Sequence, residues 1–245
     1  FKLPDEEPAQ MQEFTLHLPT YSKTADLQIG LDADAEIQSP TPRSAPGRIV
    51  VYGTSITQGA CASRPGLSYT SQLARKLNRG ILNFGFSGSG RGEAEVATHL
   101  ARLPQIDLFI LDFEANVESL ATMQQRLPIF LDILRKQQPD CKILLVSAIP
   151  FAGQAAFKQR PEYTASRNWQ QELVRERNEV GDRKLFFLDG GTLLGEDIGE
   201  CYVDGVHPND LGMTLMQQAM LPVIRKILES ALNQTTREQE NASLP

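Results

Sequence analysis

From residue 48 onward, short apolar runs alternate with longer amphipathic stretches, in the order RIVVY, SYTSQLARKLN, ILNF, GEAEVATHLARL, DLFILDF, SLATMQQRLPIFLDILRKQ, KILLVSAI, TASRNWQQELVRERNEV and KLFFLD. A last periodic stretch starts near Asn209 and ends at Leu232. The apolar runs are continuous rather than alternating, which is what a strand buried on both faces looks like. Strands of that kind, separated by helices, belong to a parallel sheet with a helix layer on each side. The pattern therefore predicts one α/β domain over residues 48–232, with a five-stranded parallel sheet, a size that a single core of this chain length supports.

The flanks read differently. Residues 1–47 are rich in Pro and charge around two segments, EFTLHLPTY and ADLQIGL, that alternate apolar and polar residues as strands do. They are expected to form either a β-rich extension packed on the main domain or the remnant of a larger N-terminal β-sandwich module, too short to bury a core alone. Residues 233–245, NQTTREQENASLP, lose the period and are expected to be disordered. Pro222, inside the last periodic stretch, lacks an N–H and is expected to kink or interrupt that helix.

Composition excludes several functions. The net charge is −6 and the basic residues are scattered, so no stripe exists to neutralise a nucleic-acid backbone. No apolar run approaches the roughly 18–20 residues of a membrane span, so a soluble domain is expected. The first residue is Phe1 with no leader-like segment behind it, as in a processed product or a fragment; localisation is left open, with secretion or a periplasmic location one reading, and so is the oligomeric state. Cys61, Cys141 and Cys201 form neither a CxxC pair nor an even disulfide set; they are expected to be small hydrophobes, with no metal site. The run Gly88-Ser89-Gly90-Arg91-Gly92 imitates a dinucleotide fingerprint, but GxGxxG needs glycine where Glu93 stands, so no cofactor is expected. GxSxG, P-loop, HExxH and EF-hand patterns do not occur.

Chemistry concentrates where strands end. RIVVY runs into Gly53-Thr54-Ser55, which puts a hydroxyl at the carboxyl end of the first strand, where open α/β sheets bind ligands. A serine hydroxyl needs a base to become a nucleophile, and that base is usually a histidine held by a carboxylate. His17 and His99 have no paired acid nearby and are expected to be structural or solvent-exposed. His207 follows Asp204 by three positions in a Gly-containing turn, so one loop can hold both; Asn209 behind them is a good helix cap. Acyl transfer also needs donors for an oxyanion. The Gly85–Gly90 turn after the second strand offers backbone N–H groups, Gly88 among them, and Asn116 after the third offers a side-chain amide. In a parallel sheet all four segments emerge at one edge.

These residues carry a resemblance to the SGNH (GDSL-like) hydrolases over about residues 48–230. GTSIT at 53–57 resembles the first block, NFGFSG at 83–88 the second, EAN at 114–116 the third and DGVHP at 204–208 the fifth. The resemblance implies a three-layer α/β/α flavodoxin-like fold, ester hydrolysis without a cofactor, a triad of Ser55, Asp204 and His207, and an oxyanion hole made by Ser55, Gly88 and Asn116. Two positions depart from the pattern: Thr54 replaces the usual aspartate, and Glu114-Ala115-Asn116-Val117 replaces Gly-x-Asn-Asp, which suggests a subgroup with altered loop support. TQGACASRPGLSY and the β-like segment before the first strand resemble the subgroup with an N-terminal β-sandwich, often carbohydrate deacetylases. The implied partner is a small-molecule or saccharide ester, with Arg64, Arg91 and Glu114 as candidate substrate contacts. The rival readings are a lysophospholipase or thioesterase with Phe151–Tyr163 as part of a lid, and a carbohydrate-binding module without turnover.

Overall fold

The computed structural model describes residues 11–44, 46–152, 161–196 and 198–242. Five strands, β1 (Arg48–Gly53), β2 (Gly80–Gly85), β3 (Ile106–Asp112), β4 (Lys142–Val146) and β5 (Leu185–Leu188), form one sheet in the order β2-β1-β3-β4-β5. Every pairing is parallel. This is the flavodoxin-like order, whose switch point lies beside β1.

Adjacent residues of the central strands point to opposite faces, and both faces are apolar. Ile49 and Val51 of β1, Leu108 and Ile110 of β3, and Leu144 and Val146 of β4 meet Tyr69 and Leu73 of α2 (Tyr69–Leu77) and the methionines of α6 (Asp210–Ala242). Val50, Tyr52, Phe109, Leu111, Ile143 and Leu145 meet α3 (Ala94–Leu100), α4 (Leu120–Gln137) and Val174 of α5 (Pro161–Glu179). The three expected layers follow from this two-sided burial. Ser68 and Ser119 cap α2 and α4 by accepting the N–H of Ser71 and Thr122.

Three features differ from the sequence-based expectation. Residues 11–44 contain no strand among the described residues, only bends and one turn. Their alternation satisfies a side-chain condition for a strand, but a strand also needs a backbone partner, and none pairs with them. Second, α6 is a single helix through Pro222 and on to Ala242, past the boundary at 233. The lost hydrogen bond and ring clash cost about 3 kcal/mol. Met213, Met216 and Met220 before the proline and Ile224 and Ile227 after it are at most 4% exposed, each contributing about 1.5–3 kcal/mol, so burial on both sides outweighs the proline. Third, Ser55 starts a one-turn helix, α1 (Ser55–Gln58), that lies directly on the end of β2.

That contact is tight enough to dictate a residue. A Cβ at Gly85 would stand 2.2 Å from the Gln58 backbone nitrogen. Gly85→Ala is expected to cost about 1–3 kcal/mol by forcing α1 off the sheet, read as a lower urea midpoint at unchanged slope. An unchanged midpoint would show that α1 yields freely.

Candidate active site

The parallel register sets Gly53 opposite both Gly85 and Asp112, so β1, β2 and β3 end level with one another. Ser55 follows as the first residue of α1, behind the Thr54 cap whose hydroxyl accepts the Ile56 N–H. A residue at the start of a helix has an N–H without an intrahelical partner, so the Ser55 amide is a free donor position. The side chain is nearly buried, at 8% exposure.

His207 reaches Ser55 from 152 residues away, with Nε2 2.9 Å from Oγ. Its other ring nitrogen, Nδ1, lies 2.6 Å from Asp204 Oδ2. Asp204 Oδ1 accepts the backbone N–H of Val206 (2.9 Å) and of His207 (2.7 Å), closing a turn through Gly205 at φ +83°. Partial burial raises the Asp204 carboxyl, but the His207 ring bond, the two backbone bonds and the His207 charge together bring it down to about 2. It therefore stays ionised wherever the imidazole can act as a base. The base of the loop is closed by a Tyr202–Pro208 bridge and by Asn209, whose amide donates to the Glu200 carbonyl and whose oxygen accepts the Gly212 N–H.

Gly88 adopts φ +69°, and its N–H donates to no acceptor among the described residues. Asn116 sits on a short 3-10 turn, Glu114–Asn116, and its Nδ2 donates to the Phe86 carbonyl at 3.3 Å, which places the amide against the Gly88 turn with a second N–H to spare. Ser55, Asp204, His207, Gly88 and Asn116 are thus gathered at one sheet edge. His17 instead meets Arg75 of α2, and His99 packs edge-on against Phe84.

The three expected substrate contacts separate. Arg64 is exposed, beside Asp210. Arg91 is engaged: Nε and Nη2 donate to the Gly88 carbonyl at 3.2 and 3.0 Å, and Nη1 pairs with Glu118 at 2.6 Å. Glu114 turns inward, 4% exposed, and accepts the Ala148 N–H at 2.6 Å. Of the proposed lid, residues 153–160 lie outside the described residues. A cavity of about 620 Å³ lies apart from this chemistry, between residues 15–20 and the α2/β2 side.

Several supporting residues escaped the sequence reading. Tyr69 OH and Thr57 Oγ1 both donate to Asp112 Oδ2, at 2.8 and 3.1 Å, locking α1 and α2 to the end of β3. Gln58 Oε1 accepts the Ser87 N–H at 2.9 Å, tying α1 to the Gly88 turn. Glu93 accepts the Arg91 N–H and the Tyr52 hydroxyl, while Tyr52 OH accepts the Gly92 N–H. The available signal was an aspartate closing the apolar run of β3. As for thiol chemistry, burial and the Asp204 charge push the Cys61 thiol up, away from a reactive thiolate.

The model of the GDSL-like lipase/acylhydrolase family matches residues 47–225. The chain belongs to that family. Among solved structures, a Bacteroides ovatus protein proposed to be a GDSL-like lipase is 36% identical, with a TM-score of 0.71 over 78% of this chain and 56% of its own. A salicylyl acyltransferase from a tetracycline biosynthetic pathway is 23% identical, with a TM-score of 0.63 over 72% of this chain and 53% of its own. A family two carbohydrate esterase from Clostridium thermocellum, in complex with cellohexaose, is 17% identical, with a TM-score of 0.60 over 79% and 67%. The last two likenesses speak to the fold alone. This GDSL-family chain spans a little over half the length of the first two proteins. No curated protein matches it.

Asp112 gives the site a pH signature. Burial raises its carboxyl to about 7, against the lowering effect of the Tyr69 and Thr57 hydroxyls and with a further rise from Glu114. An acid raised in the folded state stabilises fully below its ordinary value, and that contribution is lost as pH rises through the folded value. Wild-type stability should therefore fall between about pH 4 and pH 7 by a component that Asp112→Asn lacks. Melting curves at pH 5 and pH 8 should show the Tm difference moving several degrees in favour of the variant at pH 8; a constant difference would refute the raised carboxyl.

Proposed function

We propose that this chain is a serine esterase that removes short acyl groups, acetyl foremost, from a carbohydrate ester. The observation that carries the reading is the unbroken line from Ser55 Oγ through the His207 ring to Asp204, with contacts of 2.9 and 2.6 Å. In this reading Ser55 Oγ attacks the ester carbonyl carbon while His207 Nε2 takes its proton. The Ser55 and Gly88 N–H groups and the Asn116 amide receive the oxyanion. The intermediate collapses as His207 returns the proton to the departing alcohol, leaving the acyl group on Ser55. Water then attacks that acyl carbon, again losing its proton to His207, and the acid leaves with Ser55 restored. Asp204 holds the Nδ1 proton and balances the imidazolium at each stage. Arg91 positions the Gly88 turn, and Arg64 is the remaining charged candidate for contact with the polar part of a substrate.

The saccharide half of the proposal draws on the shared fold with a carbohydrate esterase crystallised with cellohexaose, together with the resemblance of TQGACASRPGLSY to two-part deacetylases. Ser55→Ala should abolish p-nitrophenyl acetate hydrolysis, and Asn116→Ala should lower kcat by about 10²–10³-fold with a smaller change in KM. An organophosphonate should label Ser55 in the wild type; absence of label together with absence of turnover would favour a saccharide-binding module. Replacing the acetate ester by the octanoate ester should reduce kcat/KM at least tenfold. A preference for octanoate would instead select the lysophospholipase or thioesterase reading.

A further inference from the structure

Cys61 takes no part in the chemistry above, yet it stands beside it. Its sulfur, a carboxylate oxygen of Asp204 and a ring nitrogen of His207 all lie within 4.8 Å of one another. Cys61 is exposed, so the cluster is open to solvent on that side.

The backbone that carries all three donors is held in place. The Gly59 and Ala60 N–H groups donate to the Ser55 carbonyl at 3.0 and 2.9 Å, just before Cys61, and the Ser63 N–H donates to Asp210 Oδ1 at 2.8 Å just after it. Cys61 itself turns the chain at φ +64°, a conformation uncommon outside glycine. Asp204 and His207 are fixed by their own turn. Sulfur, imidazole nitrogen and carboxylate oxygen together form a borderline-soft set, which suits Zn²⁺ far better than Mg²⁺ or Ca²⁺. Around tetrahedral zinc, with bonds of about 2.0–2.3 Å, ligand atoms stand about 3.3–3.8 Å apart, so the Nδ1 and Oδ2 atoms now hydrogen-bonded at 2.6 Å must part while the rest of the cluster lies within 4.8 Å.

We propose that Cys61, Asp204 and His207 form an inhibitory zinc site, with water completing the coordination. On binding, the Cys61 thiol loses its proton to solvent and coordinates as thiolate, and the metal occupies the Nδ1 lone pair of His207 with the ring proton on Nε2. His207 can then neither take the Ser55 proton nor keep its bond to Asp204. The effect on rate rests on the esterase reading above; the binding itself does not.

The test uses the whole chain, stripped of metal by EDTA and then freed of the chelator. Zn²⁺ alone should bind one-to-one in isothermal titration at micromolar concentration, and Co²⁺ should give the near-ultraviolet absorption of a thiolate complex. Zn²⁺ should inhibit p-nitrophenyl acetate hydrolysis over the same concentration range, reversibly by EDTA, whereas millimolar Mg²⁺ should not. Cys61→Ser and Cys61→Ala should weaken zinc binding and inhibition at least tenfold and abolish the cobalt–thiolate band, while metal-free turnover persists. Equal zinc affinity in wild type and both variants, no zinc binding to the wild type, or equal inhibition by Mg²⁺ would each overturn the proposal. Titration and absorption do not need turnover, so an inactive esterase with an intact zinc site would count against the triad reading and leave this one standing.

Discussion

The parallel register that places Gly53 opposite Gly85 on one side and Asp112 on the other is the constraint on which the rest of the molecule depends. Because three strands end level, the chain must leave all of them at one edge. The connections from β1 to β2 and from β2 to β3 pass on opposite sides of β1, which opens a crevice at its carboxyl end. Ser55, Gly88 and Asn116 each lie within four residues of such an end. Their proximity is therefore a property of strand order, and three segments distant in sequence need no direct interaction to be brought together.

Order alone sets neighbourhood, not geometry. Hydrogen bonds between the loops supply the finer placement: Gln58 to Ser87, Asn116 to Phe86, Arg91 to Gly88, and Thr57 with Tyr69 to Asp112. Each contributes a net of only about 0.5–1.5 kcal/mol, whereas a buried polar group left without its partner costs about 1–3 kcal/mol. That asymmetry belongs to the buried Thr57 and Tyr69 bonds to Asp112, whereas the other three bonds are exposed. A loop arrangement that broke one of the buried bonds would be penalised even though the apolar core were untouched. The core holds the sheet together, and the polar bracing selects one conformation of its edge.

The central strands were legible because burial on both faces leaves an unmistakable run, as in DLFILDF, and the Ser55, Gly88 and Asn116 motifs were legible because each follows such a run; the Asp204–His207 loop, expected to follow a strand as they do, instead comes after the 3-10 turn Ile198–Cys201, well past the end of β5 at Leu188. Residues 11–44 misled because alternation records which side chains could face a sheet, while pairing depends on a partner that no local pattern encodes. The end of α6 misled for the opposite reason: TREQENA has no apolar stripe, but Arg, Glu, Gln and Ala are good helix formers and prolong a helix already nucleated by packing. Glu114 and Arg91 were recognised as belonging to the site, but whether a charged side chain turns inward to a backbone group or outward to a ligand depends on neighbours from other elements. Cys61 was unreadable in this sense altogether, since its proximity to Asp204 and His207 exists only in the folded chain.

The Asp204–His207 loop differs from the other three in how it is built. Asp204, Gly205 and His207 close their own turn by hydrogen bonds within four residues, so the imidazole and its carboxylate would hold the same relation to each other wherever the loop were placed. The imidazole's 2.9 Å separation from Ser55 is tertiary, as is the bond that the Ala152 N–H donates to the Gly205 carbonyl at 2.9 Å. On its other side the loop leads into α6, which begins three residues after His207 and is anchored to the sheet by Met213, Met216 and Met220. Asn209 and the Asp210–Ser63 contact fix the start of this helix against the chain on either side. The placement of His207 thus depends in part on the packing of buried methionines along a helix that supplies no group to the cluster, and a change in that packing would move His207 without altering its bond to Asp204.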